Sequence, residues 1–144
     1  MLFRSKALID DVIKFLTELG KGFAFVGKQY HFEVEEEDFY IDLLFYHIKL
    51  KSYIVIELKT GKFKPEYVGK MGFYLACVDD YLKDNNDNNS VGIILCQDEK
   101  ANAEIRKKSL NCMIKPIGVA NYKLAKKEEL PKELQPLEEI RKLL

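Results

Sequence analysis

Two short apolar runs, Tyr53 to Lys59 and Val91 to Cys96, stand on either side of a stretch whose apolar residues recur at helical spacing. A strand, a helix and a second strand in that order form a crossover unit, and such units pair their strands in parallel. The second run, Val91-Gly92-Ile93-Ile94-Leu95-Cys96, is apolar throughout, the pattern of a strand covered on both faces. The intervening helix begins near Pro65, a residue suited to a first helical turn, and runs to about Lys83. Its stripe is Val68, Met71, Leu75, Val78 and Leu82. The Asn/Asp-rich segment from Asp84 to Ser90 is a loop.

Upstream, residues 5–19 place Leu8, Ile9, Val12, Ile13, Phe15, Leu16 and Leu19 on one side of an amphipathic helix, with Ser5 as N-cap and Gly20 as its end. Phe23 to Val26 starts a strand that continues after Gly27 through the alternating Tyr30 to Val34, with Glu35 to Asp38 as the turn. Phe39 to His47 is the second strand, Tyr53 to Lys59 the third, and Thr60 to Lys64 a loop. Downstream come a helix over 101–110, a strand from Ile117 to Ala120, and a helical tail from Lys127 to Leu144 interrupted by Pro131 and Pro136. The expected class is α/β, with a central mixed sheet flanked by helices and an extra C-terminal helix. One domain over 1–144 accounts for the chain, its core from about 5 to 124 and its tail over 127–144.

Composition narrows the function. Hydrophobic residues make up 47%, enough for a core, yet no apolar run has the roughly 18 residues of a membrane span. Charges interrupt the N-terminus too early for a signal peptide. Cys77, Cys96 and Cys112 are odd in number and widely spaced, which argues against a disulfide framework or structural zinc. Buried thiols in a reducing cytoplasm are the expectation. With 23 basic and 23 acidic residues, the chain is not one that coats nucleic acid by bulk charge. The charges are unevenly placed, however. Six acids and no base lie between Glu33 and Asp42, and six lysines against two acids between Lys49 and Lys70. An acidic centre beside a basic stretch suits a metal site facing a phosphodiester, although charge runs are more often solvated faces.

The third strand carries the chemistry. Alternation sends Val55, Glu57 and Lys59 to one face and Ile54, Ile56 and Leu58 to the other. In the second strand Asp42 is the only charge within an apolar stretch. A turn centred on Lys49-Leu50 sets Asp42 opposite Glu57. Carboxylates so placed repel unless a cation lies between them. A hard divalent ion with oxygen ligands fits that need and leaves room for a phosphate oxygen. Lys59 then stands beside the attacking water, able to orient it or offset charge on phosphorus. Glu18 lies about 120° round the first helix from its apolar centre, in the last turn where the helix dipole disfavours an acid. It is a candidate third carboxylate, with a plain surface residue as the alternative. Gln29 and Tyr46 are candidates for lining the cleft. His31 and His47 are not spaced as a metal pair, and neither a glycine-rich phosphate loop nor a serine triad is present.

Asp42, then Glu57-Leu58-Lys59 on the next strand, with Glu18 in a preceding helix, resembles the PD-(D/E)xK nuclease superfamily. The stretches FLTELGKGFAFVGKQYHF, DFYIDLLFYHIKLKSYIVIELKTGKFKPEYVGKMGFYL and SVGIILCQDEK resemble the YhcG-type PD-(D/E)xK nuclease domain. The resemblance implies an αβββαβ restriction-endonuclease-like core and Mg²⁺- or Mn²⁺-dependent cleavage of DNA, including branched or damaged DNA. It further implies Asp42, Glu57, Glu18 and the carbonyl of Leu58 as metal ligands, and Lys59 as the catalytic lysine. Lys62, Lys64, Lys70 and Tyr74 are the expected nucleic-acid contacts. Ile41 stands where the motif often has proline, and Lys70 precedes Tyr74 where many members carry glutamine. Full-length relatives add an N-terminal winged-helix-like domain, expected here on a longer protein or a partner. Cutting both strands of a duplex makes a homodimer reasonable. The competing reading is a catalytically silent nucleic-acid or protein docking module with the same fold.

Overall fold

The structure, a computed structural model, describes residues 22–98 and 103–121. Its elements are β1 (Phe23–Val34), β2 (Glu37–His47), β3 (Ser52–Lys62), α1 (Glu66–Tyr81), β4 (Val91–Asp98), α2 (Ala103–Asn111) and β5 (Ile117–Asn121). The strands make one sheet in the order β1-β2-β3-β4-β5. β1, β2 and β3 pair antiparallel, whereas β3 pairs with β4, and β4 with β5, in parallel. Connection length explains the mixture, because tight turns reverse the chain and helices return it in the same direction. Between β1 and β2 the turn is Glu35-Glu36, with φ of 52° and 68°. Positive φ at both positions is the geometry that matches the twist of a two-residue hairpin.

Below α1, Val68, Met71, Tyr74, Leu75, Cys77 and Val78 join Leu44, Val55, Ile94 and Cys96 in one buried cluster. The helix lies close. A methyl group added at Gly92 would meet Met71 Sδ at 2.6 Å and Cγ at 2.7 Å. On the other face Leu43, Phe45, Ile54, Ile56, Ile93 and Leu95 are buried as well. Burial of both faces accounts for the unbroken apolar run in β4. Each such aliphatic side chain contributes about 1.5–3 kcal/mol of transfer free energy.

The α/β class and the mixed sheet agree with the expectation, and the differences lie at element ends. β3 extends through Thr60 and Gly61 to Lys62, which were expected in a loop. Parallel pairing with β4 resumes there, Lys62 opposite Asp98, after an irregularity past Lys59 at which Gly61 adopts φ 81°. The hairpin turn has two residues rather than four, because Glu37 and Asp38 pair with Val34 and Glu33. α1 ends at Tyr81 rather than Lys83, where the N–H groups of Leu82 and Lys83 both donate to the Val78 carbonyl. Cys77 and Cys96 are buried as expected, but Cys112 is exposed just beyond α2. The helix expected over 5–19, with Glu18, and the tail over 127–144 lie outside the described residues. Among the described residues no helix is long and apolar enough to cross a membrane.

Candidate active site at the fork between β2 and β3

The turn after His47 spans residues 48–51 and sets the register of Leu43 opposite Ile56 and Leu44 opposite Val55. One step further the ladder stops, and side chains replace it. The Asp42 N–H donates to Glu57 Oε2 at 2.9 Å, and the Leu58 N–H donates to Asp42 Oδ2 at 2.8 Å. Beyond this point β2 pairs only with β1 and β3 only with β4, so the strands fork. A fork exposes backbone donors in the middle of a sheet, and here the two carboxylates take them up.

β2 is irregular at the same place. Ile41 and Leu44 belong to the one buried cluster under α1, although they are three residues apart in a strand whose side chains alternate with period two. Phe39 packs on Phe73 of α1 with ring centroids 4.8 Å apart, which puts the odd-numbered positions before Asp42 on that side. The alternation is therefore interrupted at Asp42 and Leu43. Between the paired positions Lys28–Leu43 and Tyr30–Ile41 stand Gln29 and Asp42; the Gln29 backbone has φ 49°, and its Nε2 donates to Asp42 Oδ1 at 3.1 Å. Both Asp42 oxygens are thus held by donors.

Glu57 is only 5% exposed. Its pKa is pushed up to about 8, first by burial and then by the negative charge of Asp42. The Asp42 N–H, Lys59 and Lys70 act in the opposite direction and do not prevail. The apolar surround and the second carboxylate outweigh the counter-charges present. At about 1.4 kcal/mol per pKa unit, leaving Glu57 ionised costs on the order of a few kcal/mol. A cation between the two groups would remove that cost.

Lys59 extends to within 3.9 Å of Glu57 Oε1, with its ammonium 4.9 Å from the centre of the Tyr67 ring. Lys70 lies over the Tyr74 ring at 5.6 Å and is near enough to Glu57 to bias its titration. Tyr74 itself is buried, and burial together with Glu57 and Asp42 raises its phenol pKa. At 2% exposure it offers almost no surface to a nucleic acid, contrary to the sequence expectation: it shares the inward side of α1 with Met71, Cys77 and Val78, three and four residues away. Lys62, Lys64 and Lys70 are exposed, on the end of β3, the following loop and α1. Among the described residues two carboxylates converge here and no third acid, histidine or cysteine joins them. Glu18 lies outside those residues.

Tyr46 does not line the site. It is four residues down β2 and donates to Asp87 in the loop after α1, at 2.6 Å. His47 is buried at the end of β2, accepting from the Leu50 N–H, and the exposed His31 bonds to Asp38 at 2.7 Å. Tyr67 was missed from the sequence. Its signal was position, since the first turn of a helix that follows β3 returns over the end of that strand. Gln29 was readable as a facing partner only once the turn length was known, because each residue added to a turn moves the register.

Comparison with known proteins gives the family and the fold. The family described as the YhcG PDDEXK nuclease domain matches residues 4–138. A relative from Escherichia coli (strain K12), named "Putative nuclease YhcG", is 35% identical over 96 residues, covering 67% of this chain and 26% of that protein. The chain thus spans about a quarter of that relative's length. The crystal structure of a repair endonuclease from Pyrococcus abyssi superposes with a TM-score of 0.55 at 15% identity, covering 81% of this chain and 46% of that one. That likeness is one of fold, the restriction-endonuclease-like α/β core. Since the family match runs through the forked hairpin, the crossover helix and the strands on both sides of it, the chain belongs to the YhcG-type PDDEXK nuclease domains.

Proposed function

We propose that the domain hydrolyses phosphodiester bonds of DNA with a divalent cation, Mg²⁺ or Mn²⁺, held by Asp42 and Glu57. The observation that carries this reading is the meeting of Asp42, Glu57 and Lys59 at the β2–β3 fork, with Glu57 buried beside a second carboxylate. The donor set fits such an ion. It consists of hard carboxylate oxygens whose burial and mutual repulsion the nearby Lys59 and Lys70 do not offset, with the Leu58 carbonyl as a further oxygen donor. When bound, the ion supplies Lewis-acid polarisation of the phosphoryl group. The rest is done by the chain's own groups. Asp42 is held in orientation by the Leu58 N–H, and Glu57 by the Asp42 N–H. Lys59 directs its ammonium, steadied over Tyr67, toward the water oxygen that attacks phosphorus and toward the charge that accumulates there. As the new P–O bond forms, the attacking water gives up a proton to solvent, the bond to the leaving oxygen breaks, and that oxygen takes up a proton in its place. Lys62, Lys64 and Lys70 meet neighbouring phosphates as point charges.

The test is cleavage of plasmid, nicked and branched DNA with Mg²⁺ or Mn²⁺ by the parent, Asp42→Ala, Glu57→Ala and Lys59→Ala. Each variant is expected to lose about 10²- to 10³-fold in rate, the scale of removing a principal stabiliser of transition-state charge. Asp42→Ala and Glu57→Ala enzymes that cut like the parent would place the site elsewhere. Calorimetric titration with Mn²⁺ separates the docking-module reading, since a module that only docks has no reason to bind the ion at the fork.

A further inference from the structure

We propose that Gln29 is a positioning residue: its amide N–H, presented by a left-handed backbone, fixes the Asp42 carboxylate for the ion. The inference rests on the metal-dependent reading above and names a residue outside the Asp-Glu-Lys set.

Gln29 is a non-glycine residue at φ 49°, in the middle of a twelve-residue strand. The left-handed region is disfavoured for a residue with a Cβ, and outside turns it persists where the surroundings impose it. The other described non-glycine residues with positive φ are Glu35, Glu36 and Lys51, and all three sit in turns between strands. Gln29 alone among them lies inside a strand. Hairpin closure does not call for its conformation; Gln29 lies two residues past the register shift between Phe25 and Gly27, where the strand is already irregular, and its side chain bonds to Asp42. It meets Asp42, which stands with it between the paired positions Lys28–Leu43 and Tyr30–Ile41, through Nε2 to Oδ1 at 3.1 Å. An ionised carboxylate only accepts, so the amide must face it with its N–H.

The consequence concerns orientation. Asp42 sits where the β2 alternation breaks and where the β2–β3 ladder ends, so neither neighbouring strand fixes its side chain by regular pleating. Leu58 N–H pins Oδ2, and without Gln29 the carboxylate could swing about that one contact. With both oxygens accepting a single hydrogen bond, each keeps a lone pair directed elsewhere. Groups that orient metal-binding side chains in this way commonly change metal affinity by about 10- to 100-fold when removed.

Gln29→Gly and Gln29→Ala make the test, with Mn²⁺ affinity by calorimetry, melting without metal, and DNA cleavage as readouts. Both variants lose the amide, but glycine relieves the left-handed backbone whereas alanine keeps its penalty. Both are expected to bind Mn²⁺ about tenfold more weakly or worse, and to cleave correspondingly more slowly at limiting metal. The glycine variant should melt at or above the parent temperature and the alanine variant below it. Loss of affinity in a protein of undiminished stability is what a purely structural role does not produce. Parent-like Mn²⁺ binding by Gln29→Gly overturns the proposal and leaves the nuclease reading standing, as does a loss of affinity accompanied by a lower melting temperature in that variant. A parent that binds no Mn²⁺ and cuts no DNA overturns both.

Discussion

Glu57 shows how one buried carboxyl links stability to function. Folding moves its pKa from 4.5 to about 8, so between those values the folded chain keeps a proton that the unfolded chain has released. The stability associated with that proton is complete below the unfolded value of 4.5 and is lost as pH rises through about 8. Metal-free melts are therefore expected to fall in temperature between about pH 5 and pH 8. Glu57→Gln should flatten this limb and melt above the parent at the alkaline end, because the amide is neutral throughout and its carbonyl can still accept the Asp42 N–H. Mn²⁺ should raise the parent's melting temperature most where Glu57 is ionised, and leave Glu57→Gln nearly unmoved. A variant less stable than the parent near pH 8 would mean that burial of charge is not what raises the Glu57 pKa. Cleavage should rise with pH over the same interval, since the proton and the cation compete for one carboxylate.

Among the elements, α1 governs the approach to the site. It brings Tyr67 beneath Lys59 and Lys70 close to Glu57, and its height above the sheet is set where Met71 rests on Gly92. Gly92→Ala places a methyl group 2.6 Å from Met71 Sδ, inside a cluster in which Met71 is 1% exposed. The expected outcome is a loss of about 1–3 kcal/mol in urea unfolding with an unchanged slope, the usual effect of overpacking. It should be accompanied by slower cleavage as α1 is displaced. An unchanged midpoint would show that Met71 swings aside. The same contact explains a feature of the sequence. A glycine within an otherwise apolar strand weakens it in isolation, and is retained where another element must come close.

At the scale of the whole molecule, charge is arranged rather than accumulated. The chain has 23 basic and 23 acidic residues, yet Lys62, Lys64 and Lys70 stand exposed on the elements that frame the fork. Alanine at each should weaken duplex binding in chelator without regard to sequence, and lower the slope of log K against log salt by about 1. Slopes equal to the parent's would move the DNA track to another face. The hairpin, the crossover helix and the apolar β4 were legible beforehand because each follows from local periodicity and turn chemistry. The turn register also brings Asp42 and Glu57 near each other, but they meet by the Asp42 N–H on Glu57 Oε2 past the end of the ladder and not as paired strand residues. Neighbouring segments decided the rest. β3 continues to Lys62 because β4 offers it partners, against the loop-like Thr60-Gly61. Tyr74 is buried because α1 turns that side inward. Sequence alone determined which residues could form strands and which acids could meet. The tertiary structure alone decided that the strands part at Asp42, that Glu57 is dehydrated there and that Gln29 reaches across. Dehydration and hydrogen-bond partners arise from packing between distant segments, and no local pattern encodes them.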